Sequence, residues 1–138
     1  MNDYFYGQMI AQQIGYYKSA AKARAERVKL DAPNLRDRTR HLIHCPGTYV
    51  VGSSSIGRYK IGYGASLRDG IGRSDSYSVK IDVIMWCETD EGKQLSEQLR
   101  AIFQSKSCKV PDTPGEWYAL TDENLETLKK EFGFVCEA

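Results

Sequence analysis

Residues 47–63 read Gly47-Thr48-Tyr49-Val50-Val51-Gly52-Ser53-Ser54-Ser55-Ile56-Gly57-Arg58-Tyr59-Lys60-Ile61-Gly62-Tyr63. The β-branched and aromatic run over 47–51 predicts a strand, because branched side chains pack well on a pleated surface. Gly52 to Gly57 is rich in glycine and serine and predicts a turn. Arg58 to Tyr63 predicts a second strand, and the two make a hairpin.

Downstream of the hairpin, residues 64–76 contain Gly64, Gly70 and Gly72. A glycine costs about 1 kcal/mol in a helix interior, so this segment is expected to be a loop or a poor helix. Ser78 to Cys87 alternates as a third strand, with Val79, Ile81, Val83 and Met85 on one side and Ile84 and Trp86 partly covered on the other. Thr89 caps an expected helix over 90–104 that turns Leu95, Leu99, Ile102 and Phe103 inward. A loop with Pro111 and Pro114 leads to a short strand, Gly115-Glu116-Trp117-Tyr118-Ala119-Leu120. Thr121-Asp122-Glu123-Asn124 opens the last helix with a near capping box; Leu125, Leu128 and Phe132 face inward and Gly133 ends it.

Upstream, residues 3–29 read as one long helix capped by Asn2 or Asp3. Tyr6, Ile10, Ile14, Tyr17, Ala21, Ala25 and Val28 fall on one stripe. That stripe packs on the chain's own domain, pairs with a second copy as a homodimer, or receives a protein partner. Pro33 breaks the helix, and Leu35 to His44 forms a second short helix stopped before Pro46. The expected organisation is a helical extension over 1–44 and a body over 45–138. The fold class is α+β: a central antiparallel sheet of three to four strands flanked by helices, preceded by the long N-terminal helix.

Of the 138 residues, 41% are hydrophobic and 27% charged, which excludes a disordered or fibrous chain. No apolar run reaches the roughly 18 residues a membrane span needs, so no membrane partner is expected. Met1-Asn2-Asp3-Tyr4 has neither a basic nor an apolar leader segment, so no signal peptide is expected and the expected location is cytoplasmic. Net charge is +1, unevenly spread. Residues 18–44 hold eight basic residues (Lys18, Lys22, Arg24, Arg27, Lys29, Arg36, Arg38, Arg40) against Glu26, Asp31 and Asp37, while residues 45–138 hold eleven basic and fourteen acidic. A basic limb on a mildly acidic body is a candidate nucleic-acid contact, with a solvated helix face as the plain alternative. The four cysteines, at 45, 87, 108 and 136, form no C-x-x-C pair and read most simply as small hydrophobes. A zinc alternative uses His41, His44, Cys45 and Cys108, whose spacing matches no standard module.

The ordered set of Gly47-Thr48-Tyr49, then Tyr59-Lys60-Ile61-Gly62, a segment with arginines, a third strand, a helix and Gly115-Glu116-Trp117-Tyr118 resembles the GIY-YIG nuclease superfamily. It is most similar to the branch, frequent in phages and mobile elements, that carries Y-K-I-G and G-E-W-F motifs. The resemblance covers about seventy residues, 47–120. It implies that Tyr49 helps generate a nucleophile at a scissile phosphate and that Lys60 holds the second-motif position. It implies an arginine eight residues beyond Gly62, which here is Gly70 flanked by Arg68 and Arg73. It implies a metal-holding glutamate four residues before a histidine and seven before a phenylalanine. Anchored on Phe103, those positions are Ser96 and Arg100, with Glu97 adjacent but rotated by about 100° around the helix. A divalent cation such as Mg²⁺ is therefore expected only if the protein is catalytic.

The expectation is a GIY-YIG-like protein, phage- or mobile-element-derived, acting in the cytoplasm of its cell or of an infected host. It serves as a nucleic-acid- or protein-binding module, inhibitory or regulatory, with an eroded nuclease site. The alternative is an active metal-dependent endonuclease using Tyr49, Lys60, Arg68 or Arg73, and Glu97.

Overall fold

Strand β1 (Gly47–Ser53) is buried along its whole length. Its position explains this: it is bonded antiparallel to β2 (Arg58–Gly64) on one edge and to β3 (Val83–Glu88) on the other. A strand flanked on both edges and covered on both faces reads as a continuous apolar run. Gly57, at a backbone φ of 64°, closes the hairpin with its N–H donated to the Ser53 carbonyl at 2.9 Å. Register sets Tyr49 opposite Gly62 and Val51 opposite Lys60.

The computed structural model describes residues 34–137. The expected helix over 3–29, its stripe, any pairing through it, and Lys18, Lys22, Arg24 and Arg27 lie outside the described residues. Residues 35–138 form one compact unit. Leu35, in helix α1 (Leu35–Arg38), and Leu42, in the 3-10 turn that follows, are core residues. Leu35 and Leu42 thus pack with the body expected over 45–138, closing one face of the sheet.

The sheet has six strands, in the order β4-β5-β2-β1-β3-β6, with every pair antiparallel. The short strand expected over 115–120 is β5 (Trp117–Tyr118), and the two added strands, β4 (Ser107–Cys108) and β6 (Val135–Cys136), also have two residues each. Three to four strands were expected because a two-residue strand carries no period to read. The third strand begins at Val83, not Ser78. Asp82 stops the chain short of the sheet: its carboxylate accepts from the Ser54 N–H at 2.8 Å and Oγ at 2.6 Å, pinning it to the hairpin turn. Ile81 and Val79 consequently join the opposite face from Val83 and Met85.

Side-chain alternation splits the core into two. Tyr49, Val51, Ile84 and Trp117 pack with Leu35, Leu42 and with Leu67 and Ile71 of helix α2 (Leu67–Gly72). Val50, Ile61, Met85 and Tyr118 pack with Leu99 of helix α3 (Gly92–Ile102) and Leu128 of helix α4 (Asp122–Phe132). The α+β class is as expected, with helices on both faces. Two details differ. Residues 67–72 are helical despite their glycines, with Ser66 capping the Asp69 N–H. Ile102, expected inward, is 51% exposed. α4 begins at the Thr121–Asn124 capping box and ends at Gly133, in the left-handed region.

Candidate functional site

Tyr49 organises the site through a close approach on each side of its ring. A Cβ at Gly62 would lie 2.3 Å from the phenol oxygen, and one at Gly70 would lie 2.5 Å from Cε2. The ring is therefore clamped between β2 and α2 by two absent side chains. Gly70 occupies the position where an arginine was implied, and it is there because an aromatic ring fills the space. Burial, and secondarily Tyr77, raises the Tyr49 pKa, while Arg73 and Arg100 pull it down.

Lys60 stands one register step along the same face, opposite Val51. Its ammonium donates to the Pro114 carbonyl at 2.6 Å and lies 5.3 Å and 5.7 Å from the ring centroids of Tyr77 and Trp117. Burial, then Arg100, lowers its pKa. The carbonyl and the two ring faces favour the charged form and act the other way.

Arg100 reaches the site from the opposite layer. Its guanidinium donates to the Ile61 carbonyl at 2.8 Å. That carbonyl is available because β5 pairs with β2 only at Tyr59–Tyr118. Tyr49, Lys60, Gly62, Tyr63, Arg73 and Arg100 line one open cleft of about 460 Å³. Its ionisable lining is three cations and tyrosine, with no carboxylate. Such a lining attracts an anion, and arginine's planar fork suits phosphate oxygens.

The structure separates the candidate residues. Tyr49, Lys60 and Arg73 converge on the cleft. Arg68 does not: its Nε donates to the Arg36 carbonyl at 2.9 Å. Glu97 is exposed on α3 and lines no part of the cleft. Ser96 is fully buried and donates to the Lys93 carbonyl at 2.8 Å. Arg36 pairs with Asp69 at 3.3 Å, Arg40 with Asp37 at 3.4 Å, and Arg38 with Glu137. These arginines of the basic limb thus meet acids of their own domain. Glu116 accepts from Ser107 and Tyr118, a structural role. Among the described residues no three His, Cys, Asp or Glu side chains gather to hold a metal, so His41, His44, Cys45 and Cys108 do not form a zinc site. The cleft's donor set likewise does not suit Mg²⁺, which prefers carboxylate oxygens.

Arg100 is the cleft residue that sequence reading passed over as a missing histidine. Its signal was present: Ser96, Arg100 and Phe103 are spaced to share one helix face. The face that carries buried Ser96 and Phe103 brings Arg100 onto β2. Among the described residues, no helix is long and apolar enough to cross a membrane. Comparison with family models, curated proteins and solved structures gives no match.

Proposed function

We propose that this chain is a GIY-YIG-like nucleic-acid-binding protein whose Tyr49 cleft grips a backbone phosphate without metal-dependent cleavage. The observation that carries the proposal is the lining of the cleft: Lys60, Arg73 and Arg100 gather around Tyr49 with no carboxylate among them. Cleavage by the route the resemblance implies needs a hard cation on a carboxylate to polarise the phosphate. Here Arg100 brings fixed positive charge to the cleft, and Ser96, in the implied glutamate position, is buried and bonded to its own helix. The raised pKa of Tyr49 keeps its phenol protonated at neutral pH, which suits hydrogen-bond donation to a phosphate oxygen better than proton abstraction.

The test is binding of labelled DNA and RNA at several salt concentrations, beside a cleavage assay with Mg²⁺ and Mn²⁺. Binding should weaken steeply with salt, and Arg100→Ala should flatten the log–log slope by roughly one. Absence of salt-dependent binding by the folded protein would sink the proposal. Cleavage that is lost in Tyr49→Phe would replace it with the nuclease alternative.

A further inference from the structure

The open edge of β2 continues beyond the Tyr49 cleft. A second pocket of about 280 Å³ adjoins it and shares Tyr63 and Gly64 with it. The second pocket is also lined by Thr89, Asp90, Lys93 and Gln94. Tyr63 is one of the few large apolar-bodied side chains left exposed, at 40%. Lys60 and Tyr63 are three residues apart on a strand, a span of about 10 Å, more than one phosphate covers. Their side chains also leave opposite faces of the sheet, by the period of two. Lys60 lies with the Tyr49 layer, while Tyr63 lies with Ile61 and the α3 layer.

Resting on the reading that the Tyr49 cleft takes a phosphate, we propose that the ligand is a single-stranded nucleic acid which turns over the free edge of β2 and stacks a base on Tyr63. The path itself selects the single strand. A duplex, with a persistence length of about 50 nm, does not bend around a strand edge within about 10 Å. A single strand does, and its unpaired base offers a face to an aromatic ring. Around that ring, Gln94 and Asp90 carry the amide and carboxylate that meet a base edge, and Lys93 supplies a cation for the next phosphate.

The experiment measures affinity of the full chain for a single-stranded oligonucleotide, the matching duplex, and a single strand of the same length with abasic sites, in DNA and RNA versions. Wild type, Tyr63→Ala, Tyr63→Phe and Lys60→Ala are compared, with unfolding curves confirming that each is folded. Tyr63→Ala should weaken single-strand binding on the order of 5- to 150-fold, the effect of losing one stacked base. Tyr63→Phe should retain it. The abasic strand should bind wild type and Tyr63→Ala alike. The DNA and RNA arms, read with the same variants, identify which sugar the site accepts. Unchanged single-strand affinity in Tyr63→Ala, with Lys60→Ala weakened, would overturn the base pocket alone. If Lys60→Ala also binds like wild type, the phosphate cleft falls with it. Tighter binding of duplex than of single strand by wild type would equally overturn the proposal.

Discussion

At the scale of single residues, the clamp on Tyr49 decides what positions 62 and 70 can hold. Replacing Gly70 by alanine should gain about 1 kcal/mol of helix propensity, while forcing a methyl into the ring costs about 1–3 kcal/mol. The contact that would be made, 2.5 Å, is with a ring clamped on its other side by Gly62, so the clash should win. Gly70→Ala should unfold at lower denaturant than wild type, and Gly70→Arg at lower still. An unchanged midpoint would mean that the ring has room to move. Lys60 gives a pH signature. Its lowered pKa means that oligonucleotide affinity should decline with rising pH before about 10.4, where an ordinary lysine loses its proton. Lys60→Arg, which keeps its charge, should remove that decline. The sign for folding is opposite: the unfolded chain holds the proton longer, so this residue's contribution to stability rises with pH across the same window. Tyr49, Lys60 and Gly62 were legible in the sequence through the resemblance of the two hairpin motifs, which are local stretches of chain. The helix face of Arg100 was legible from its spacing with Ser96 and Phe103, but its role was not, because that depends on where α3 crosses β2, a long-range fact.

At the scale of elements, the same division between local and distant causes holds. α4 was legible nearly to the residue, since its start and stop are chemical. Thr121 and Asn124 bond each other's backbone N–H groups, at 3.1 Å and 3.0 Å, and Gly133 supplies the left-handed turn. Thr121→Ala should therefore cost about 0.5–2 kcal/mol, measured by denaturant titration with no change in its slope. α2 was not legible. Its glycines argue against a helix, and the packing of Gly70 on Tyr49 overrides that preference. The start of β3 was hidden for a related reason. The hydrophobic alternation of residues 78–87 is real, but Asp82 is held by Ser54 across the sheet, and the strand cannot begin before it.

At the scale of the molecule, the two ends of the described unit are tied together. Arg38 is bonded through both Nε and Nη2 to Glu137, two residues 99 apart in sequence, and β6 completes the β3 edge just before it. Both side chains are partly shielded from solvent. Glu137→Gln should destabilise by about 1.5–3 kcal/mol, the worth of hydrogen bonds to a charged group, without altering affinity at the distant cleft. A parallel loss of binding would show that the closure also shapes the site. Among the described residues, the three ion pairs give Arg36, Arg38 and Arg40 acidic partners, whereas the cleft gathers Lys60, Arg73 and Arg100 with no carboxylate in its lining.

The bond from Arg100 to the Ile61 carbonyl bears on the protein's behaviour in concentrated solution. An unpaired strand edge is a template on which a second copy's strand can add, and proteins guard such edges with charge. Arg100 occupies an acceptor that an incoming strand would need, and its charge repels the like-charged edge of another copy. Arg100→Ala should therefore shift to higher apparent mass on size exclusion with rising concentration more steeply than wild type. On the proposed reading, the side chain that would draw a phosphate to this edge would also keep a second copy's strand off it.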